Sequence, residues 1–354
     1  MWSLENLGWT PALRKEFEPH ARAGFDAGRV AVVHKDLCGV YTPMGELWAD
    51  VSGRMRHETA SRAHLPVTGD WVVLRPRPSE GRATIHAVLP RRSVFSRKAA
   101  GAITEEQVVA ANADSIFLVC GLDRDFNLRR IERALVLAAE SGAEPVVVLT
   151  KADLCDDPGA RMAEVREIAP VVAIHVVSSI TGDGLPGLSP YVVPGRTVAL
   201  IGSSGVGKST LVNRLLGSEA QATAQVSAHD GRGRHTTTRR ELIALETGGW
   251  ILDTPGLREL QLWAGEDALP AAFADVDALA AECRFRDCRH ENEPGCAVRD
   301  ALAEGRLPAE RFASFLKLRK ELRHLALRQD VWAKQAEARR IRSIHKHGRR
   351  RPRE

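Results

Sequence analysis

The chain has 354 residues, 44% hydrophobic and 27% charged, enough for a full core and two or three domains. No apolar run approaches the ~20 residues of a membrane-spanning helix. Met1-Trp2-Ser3-Leu4-Glu5-Asn6 has neither a basic nor an apolar leader segment, so a cytoplasmic chain without a membrane partner is expected. The net charge of +5 is uneven: from Arg339 onward eight Lys and Arg oppose only Glu354, a net +7, so the remainder sums to −2. Such a tail fits a polyanion partner, RNA before membrane, or a disordered solubilising end.

Residues 1–30 carry little signal beyond a short lead-in with helical character. Five β-rich runs follow: Arg29–Val33, Gly39–Tyr41, Glu46–Val51, Asp70–Leu74 and Ala83–Leu89. Five short strands in about sixty residues fit a small β-barrel such as an OB-fold. Such barrels often bind oligonucleotides, but the strands are poor in stacking aromatics, so a purely structural barrel is an equal expectation. Residues 90–112 read as a basic connector, with Arg91, Arg92, Arg97 and Lys98 either facing RNA or simply solvated.

From Asp114 the period changes. Ser115–Cys120, Pro145–Leu149, Val171–Val177 and Thr197–Ile201 read as buried strands, with Leu128, Ile131, Ala134, Leu135 and Ala138 at helical spacing between the first two. Strands alternating with helices predict a doubly wound α/β sheet whose ligand lies at the strands' carboxyl ends. Glu241–Leu245 and Trp250–Leu252 predict a pair joined through Gly248-Gly249. Phe273, Val276 and Leu279 predict a helix, and Pro308 opens one long helix or two.

The strongest motif is Gly202-Ser203-Ser204-Gly205-Val206-Gly207-Lys208-Ser209-Thr210, the G-x-x-x-x-G-K-S phosphate loop between a strand and a helix. Its glycines allow backbone N–H groups to turn toward phosphates, Lys208 reaches the β/γ-phosphates and Ser209 holds Mg²⁺. Asp253-Thr254-Pro255-Gly256 ends another strand, where Asp253 suits Mg²⁺ and Gly256 the γ-phosphate. Thr150-Lys151-Ala152-Asp153 has the [NT]-K-x-D pattern that reads guanine, since the Asp carboxylate accepts from two donors that adenine lacks as a pair. Ser178-Ser179 ends the next strand and suits a contact to the guanine oxygen. In Gly231-Arg232-Gly233-Arg234-His235-Thr236-Thr237-Thr238, Thr237 is the candidate to complete the Mg²⁺ shell. Leu257 follows Gly256, and an aliphatic side chain cannot orient water. Either another group does so, with His235 nearest to hand, or hydrolysis waits for a partner; His235 as plain loop surface is equally open.

These motifs run in an unusual order. The guanine readers precede the phosphate loop, and Asp253–Gly256 comes last, which is a circular permutation. Beyond them, Cys283, Cys288, His290 and Cys296 offer three thiols and an imidazole within 14 residues. That set predicts one closed tetrahedral Zn²⁺ site per chain.

On these residues the chain resembles the ribosome small-subunit-dependent GTPase A (RsgA/YjeQ) family of circularly permuted GTPases. The likeness runs from the β-rich region through Thr150–Asp153, Gly202–Thr210, Gly233–Thr238 and Asp253–Gly256 to the Cys/His cluster. It implies a multidomain fold: an OB-fold barrel (1–95), a circularly permuted α/β P-loop GTPase domain (96–262) and a helical zinc-binding domain (263–338); the basic tail (339–354) lies outside the resemblance, so an RNA role for it rests on charge alone. The resemblance implies hydrolysis of GTP to GDP and phosphate, an acid-anhydride hydrolase activity stimulated by the small (30S) ribosomal subunit during late maturation. Mg²⁺ and Zn²⁺ are the implied cofactors and GTP/GDP, the 30S subunit and its 16S rRNA the implied partners of a monomer. It also carries the mobile-loop Thr and His onto Thr237 and His235. An rRNA-binding scaffold with a structural, slowly hydrolysed nucleotide is the alternative, and a P-loop ATPase a weaker third.

Overall fold

The structure is a computed structural model; it describes residues 2–34, 37–58, 62–98, 106–217, 241–253 and 265–327. The chain divides into two compact units, one of residues 1–96 and 108–260, the other of residues 97–107 and 261–354.

The first unit begins with a closed barrel. Strands β1 (Asp26–His34), β2 (Leu37–Thr42), β3 (Gly45–Val51), β4 (Trp71–Arg77) and β5 (Arg82–Val88) run in the order β1-β2-β3-β5-β4, and β4 returns to β1. The closing pairs are Asp26 with Leu74 through Arg29 with Trp71, and β3 lies parallel to β5. Alternation along these strands turns Val30, Val40, Leu47, Val72, Leu74 and Ile85 into one interior core. This is the OB-type barrel that the five β-rich runs predict.

The basic connector carries more structure than its sequence promised. It contributes β6 (Val94–Lys98) and β7 (Glu106–Ala111), which form a two-stranded sheet. Arg91 is not available to RNA: its guanidinium grips both oxygens of the fully buried Asp70 at 2.8 Å and donates to the carbonyls of Ala63 and Leu65. Arg92 pairs with Asp114 at 3.0 Å.

The α/β part has the order β10-β9-β8-β11-β13-β12, from β8 (Ser115–Gly121), β9 (Glu144–Thr150), β10 (Ala173–Val176), β11 (Thr197–Ile201), β12 (Glu241–Ala244) and β13 (Trp250–Asp253). Only β12 is antiparallel, paired to β13 as a hairpin. Helix α3 (Leu128–Ser141) starts on an Asn127 cap and covers β8 and β9, whose residues are almost all buried. Phe117, Val148, Val198, Leu200, Leu211 and Ile251 belong to the core beneath the phosphate loop.

Strand β1 belongs to both parts. Its first half closes the barrel, and Val32 then pairs with Glu241 of β12, so barrel and α/β strands form one continuous 11-stranded sheet. The lead-in fastens the same junction. After α1 (Pro11–Arg22) is capped by Thr10, Trp9 packs edge-on against Trp71, and Asn6 accepts from the Trp250 indole at 2.7 Å. Arg29, 1% exposed, donates to the carbonyls of Leu7, Gly69 and Asn112. Burial lowers its pKa to about 10, so it stays charged at neutral pH. Gly69, at φ +90, is needed where a Cβ would stand 2.0 Å from the Ala111 carbonyl.

In the second unit, α6 (Pro270–Ala281), α7 (Ala297–Ala303) and a helix through 309–327 pack around Phe273, Val276, Val298, Leu318 and Leu322. Helices α2 (Gly53–Glu58), α4 (Pro158–Ile168) and α5 (Lys208–Leu216) belong to the first unit. Arg311 secures the helical core by a bidentate pair with Asp275 and a guanidinium 4.4 Å over Phe273. Among the described residues no helix is long and apolar enough to cross a membrane.

Candidate nucleotide site and metal centre

The sheet brings three sequence-predicted groups to one end. Residues Gly202–Gly207 leave the carboxyl end of β11, Thr150–Asp153 that of β9 and Ser178-Ser179 that of β10. Parallel strands put all these ends on one edge, and the central strand β11 holds the phosphate loop.

The loop turns through Gly205 (φ +82) and Gly207 (φ +96), conformations that side chains rarely adopt, and α5 begins at Lys208. Ser204, Gly205, Gly207, Lys208, Ser209 and Thr210 line a cleft of about 200 Å³. Lys208 Nζ donates to the Gly202 carbonyl at 2.6 Å and the Ser203 carbonyl at 2.5 Å, so its ammonium lies against the loop rather than in bulk solvent. The N-terminal N–H groups of α5 and this ammonium give the cleft the donors and positive charge that suit an anion.

Thr150, 1% exposed, sends its hydroxyl to the Val206 carbonyl at 2.5 Å, with the Cys120 carbonyl at 3.3 Å. This hydrogen bond therefore ties the end of β9 to the loop that follows β11. Asp153 Oδ1 accepts from Ser178 Oγ at 2.5 Å, and Ser178 Oγ in turn accepts from the N–H groups of Ile180 and Thr181. The Ala152 N–H donates to the Val177 carbonyl at 3.2 Å. Ser179 Oγ is buried and, among the described residues, has no hydrogen-bond partner.

Asp123 is a residue that motif reading missed. It lies just past β8, far in sequence from Thr150–Asp153, and its carboxylate meets Lys151 Nζ at 2.6 Å. The lysine hydrogen bond holds the Asp123 carboxyl below its ordinary range. Lys151 itself sits at φ +60, in the left-handed region that few residues other than glycine adopt. Asp253 ends β13, next to β11. Thr254, Pro255, Gly256, Leu257, His235 and Thr237 lie outside the described residues.

In the second unit the ligand atoms of Cys283, Cys288, His290 and Cys296 all lie within 4.8 Å of one another. Cys283 Sγ is 3.7 Å from His290 Nδ1 and 4.0 Å from Cys296 Sγ, and Cys296 Sγ is 3.4 Å from His290 Nδ1. A tetrahedral Zn²⁺ with ordinary bond lengths sets such edges at about 3.6–3.8 Å. Burial lowers the His290 pKa and favours the neutral imidazole, the form that ligates metal. The four side chains fit a closed metal site.

The family model for RsgA GTPase matches residues 88–263. A relative from Opitutus terrae, described as a small ribosomal subunit biogenesis GTPase RsgA, is 51% identical over 352 residues, 97% of this chain and 96% of its own. The crystal structure of YjeQ from Thermotoga maritima superposes with a TM-score of 0.64 at 28% identity, covering 84% of this chain and 98% of that one. A second solved structure, YloQ, described as a circularly permuted GTPase, shares the fold with a TM-score of 0.62 at 23% identity, over 85% of this chain and 96% of that one. A barrel built into the same sheet as a phosphate loop, a permuted strand order and near full-length identity to such a relative lead to one assignment: the chain is a GTPase of the RsgA family.

Proposed function

We propose that this GTPase turns over GTP in response to the small ribosomal subunit and serves that subunit's late maturation in the cytoplasm, contacting 16S rRNA as a monomer. The Thr150–Val206 bond carries the nucleotide side of this reading, because it couples the base-reading strand end to the phosphate loop. Gly202–Thr210 would cradle the phosphates, with Lys208 supplying charge. Thr150–Asp153 would hold the base, the Asp153 carboxylate accepting from guanine while Ser178 keeps it oriented. Ser178-Ser179 would meet the guanine oxygen, and the buried Ser179 Oγ, without a partner among the described residues, supports a polar ligand there.

Ser209, Thr237, Asp253 and Gly256 would hold Mg²⁺ and the γ-phosphate; the metal, when bound, neutralises charge on the phosphate oxygens. His235 is the candidate for orienting water. Cys283, Cys288, His290 and Cys296 would hold one structural Zn²⁺. The same reading divides the chain into barrel (1–95), GTPase domain (96–262), zinc domain (263–338) and basic tail (339–354). The family membership and the name of the Opitutus terrae relative support the ribosomal role.

GTP hydrolysis measured with and without small ribosomal subunits tests the proposal. Stimulation by the subunit is expected. Equal turnover in both would sink it in favour of an rRNA-binding scaffold with a slowly hydrolysed nucleotide.

A further inference from the structure

We infer that Glu293 positions His290 for the metal without being a ligand itself; this rests on the reading of Cys283, Cys288, His290 and Cys296 as a metal site. His290 is the residue in that set that the chain does not present easily. It sits at φ +64, in the left-handed region that a residue with a Cβ enters at a cost, yet it is 7% exposed and aimed between two thiols. Something must hold the turn in that shape.

The Glu293 carboxylate does so. Its Oε1 accepts the Arg289 N–H at 3.0 Å, and its Oε2 accepts the N–H groups of Glu291 at 2.9 Å and Asn292 at 3.1 Å. The amides on both sides of His290 thus converge on one anion, a backbone nest filled by the chain's own side chain. Hydrogen bonds to an ionised acceptor are the strong kind. Two arginines hold the same turn from neighbouring helices: Arg299 reaches Asn292 Oδ1 at 2.8 Å, and Arg319 reaches the Arg289 carbonyl at 3.0 Å. With both carboxylate oxygens engaged on backbone, and four other ligand atoms already gathered within 4.8 Å, Glu293 has no part in the ligand set. Its action runs through the backbone that aims the imidazole.

The test compares the full-length wild-type chain with Glu293→Ala and Glu293→Gln. Zn²⁺ affinity is read by competition with a chromophoric chelator, and the ligand set by the absorption spectrum of the Co²⁺-loaded protein. Outer partners of metal ligands are worth about 10–100-fold in affinity. Glu293→Ala is expected to lose that much, with Glu293→Gln between it and wild type. At saturating Co²⁺ all three proteins should give the same tetrahedral thiolate–imidazole spectrum. Zn²⁺ affinity within about twofold of wild type in Glu293→Ala, or in Glu293→Gln if the alanine variant does not fold, overturns the inference. A changed Co²⁺ spectrum also overturns it, by making Glu293 a ligand. Wild-type protein that takes up neither ion removes the metal reading itself, an outcome seen before any variant is compared.

Discussion

The Thr150 hydroxyl donates to the Val206 carbonyl at 2.5 Å across 56 residues of sequence, joining the end of β9 to the phosphate loop. Thr150→Ala would leave a buried carbonyl without its donor, a loss of about 1–3 kcal/mol. The expected result is a lower melting temperature together with weaker GDP binding, while Thr150→Ser restores both. Fluorescent-nucleotide titration and thermal melts measure the two effects. GDP affinity unchanged in the alanine variant would disconnect Thr150 from nucleotide binding.

Asp153→Asn replaces an acceptor pair by one acceptor and one donor. The preference should move from guanine to xanthine nucleotides, and sites that read hydrogen bonds discriminate by up to about 10⁴-fold. Competition between GTP and XTP for the protein measures it. Undiminished GTP selectivity takes Asp153 out of the base site.

Asp123→Ala removes the partner of Lys151. Both side chains are about a quarter exposed, at 26% and 24%, so the pair is worth at most about 1 kcal/mol. GDP affinity should fall about fivefold, with the melting temperature nearly unchanged. A large drop in melting temperature would instead give Asp123 a folding role.

The buried Asp70–Arg91 pair supports a larger prediction. Asp70 is fully buried, and Arg91 satisfies both its oxygens and two carbonyls of the preceding loop. Arg91→Ala strands that charge, at about 3–5 kcal/mol in urea unfolding. Arg91→Lys should recover only part, since one ammonium cannot match the planar fork of donors. Equal stability of wild type and Arg91→Ala would contradict a structural role for this arginine.

Chelation should act on the second unit alone. Removing a structural metal should melt the segment around 283–296 at lower temperature while GDP still binds. A melting curve indifferent to chelator counts against the metal site.

Much of this protein follows from local sequence. Gly205 and Gly207 mark a turn that needs positive φ, the apolar runs of β8, β9 and β11 announce buried parallel strands, and three thiols and an imidazole within 14 residues announce a cluster that can hold a metal. Each signal depends on residues a few positions apart, so composition and spacing carry it. The permuted order is equally visible, because it is the order of motifs along the chain.

Tertiary structure alone decided the rest. Arg91 and Arg92 read as basic surface, and only folding reveals Asp70 and Asp114 beside them. Arg29 looks like one residue of a strand, yet it binds carbonyls from Leu7, Gly69 and Asn112. Asp123 finds Lys151 across 28 residues, and β1 finds β12 across about two hundred. A side chain's character fixes which partners satisfy it, but a buried charge or an open strand edge is paired by whatever the whole chain brings there, and no short window of sequence holds that information.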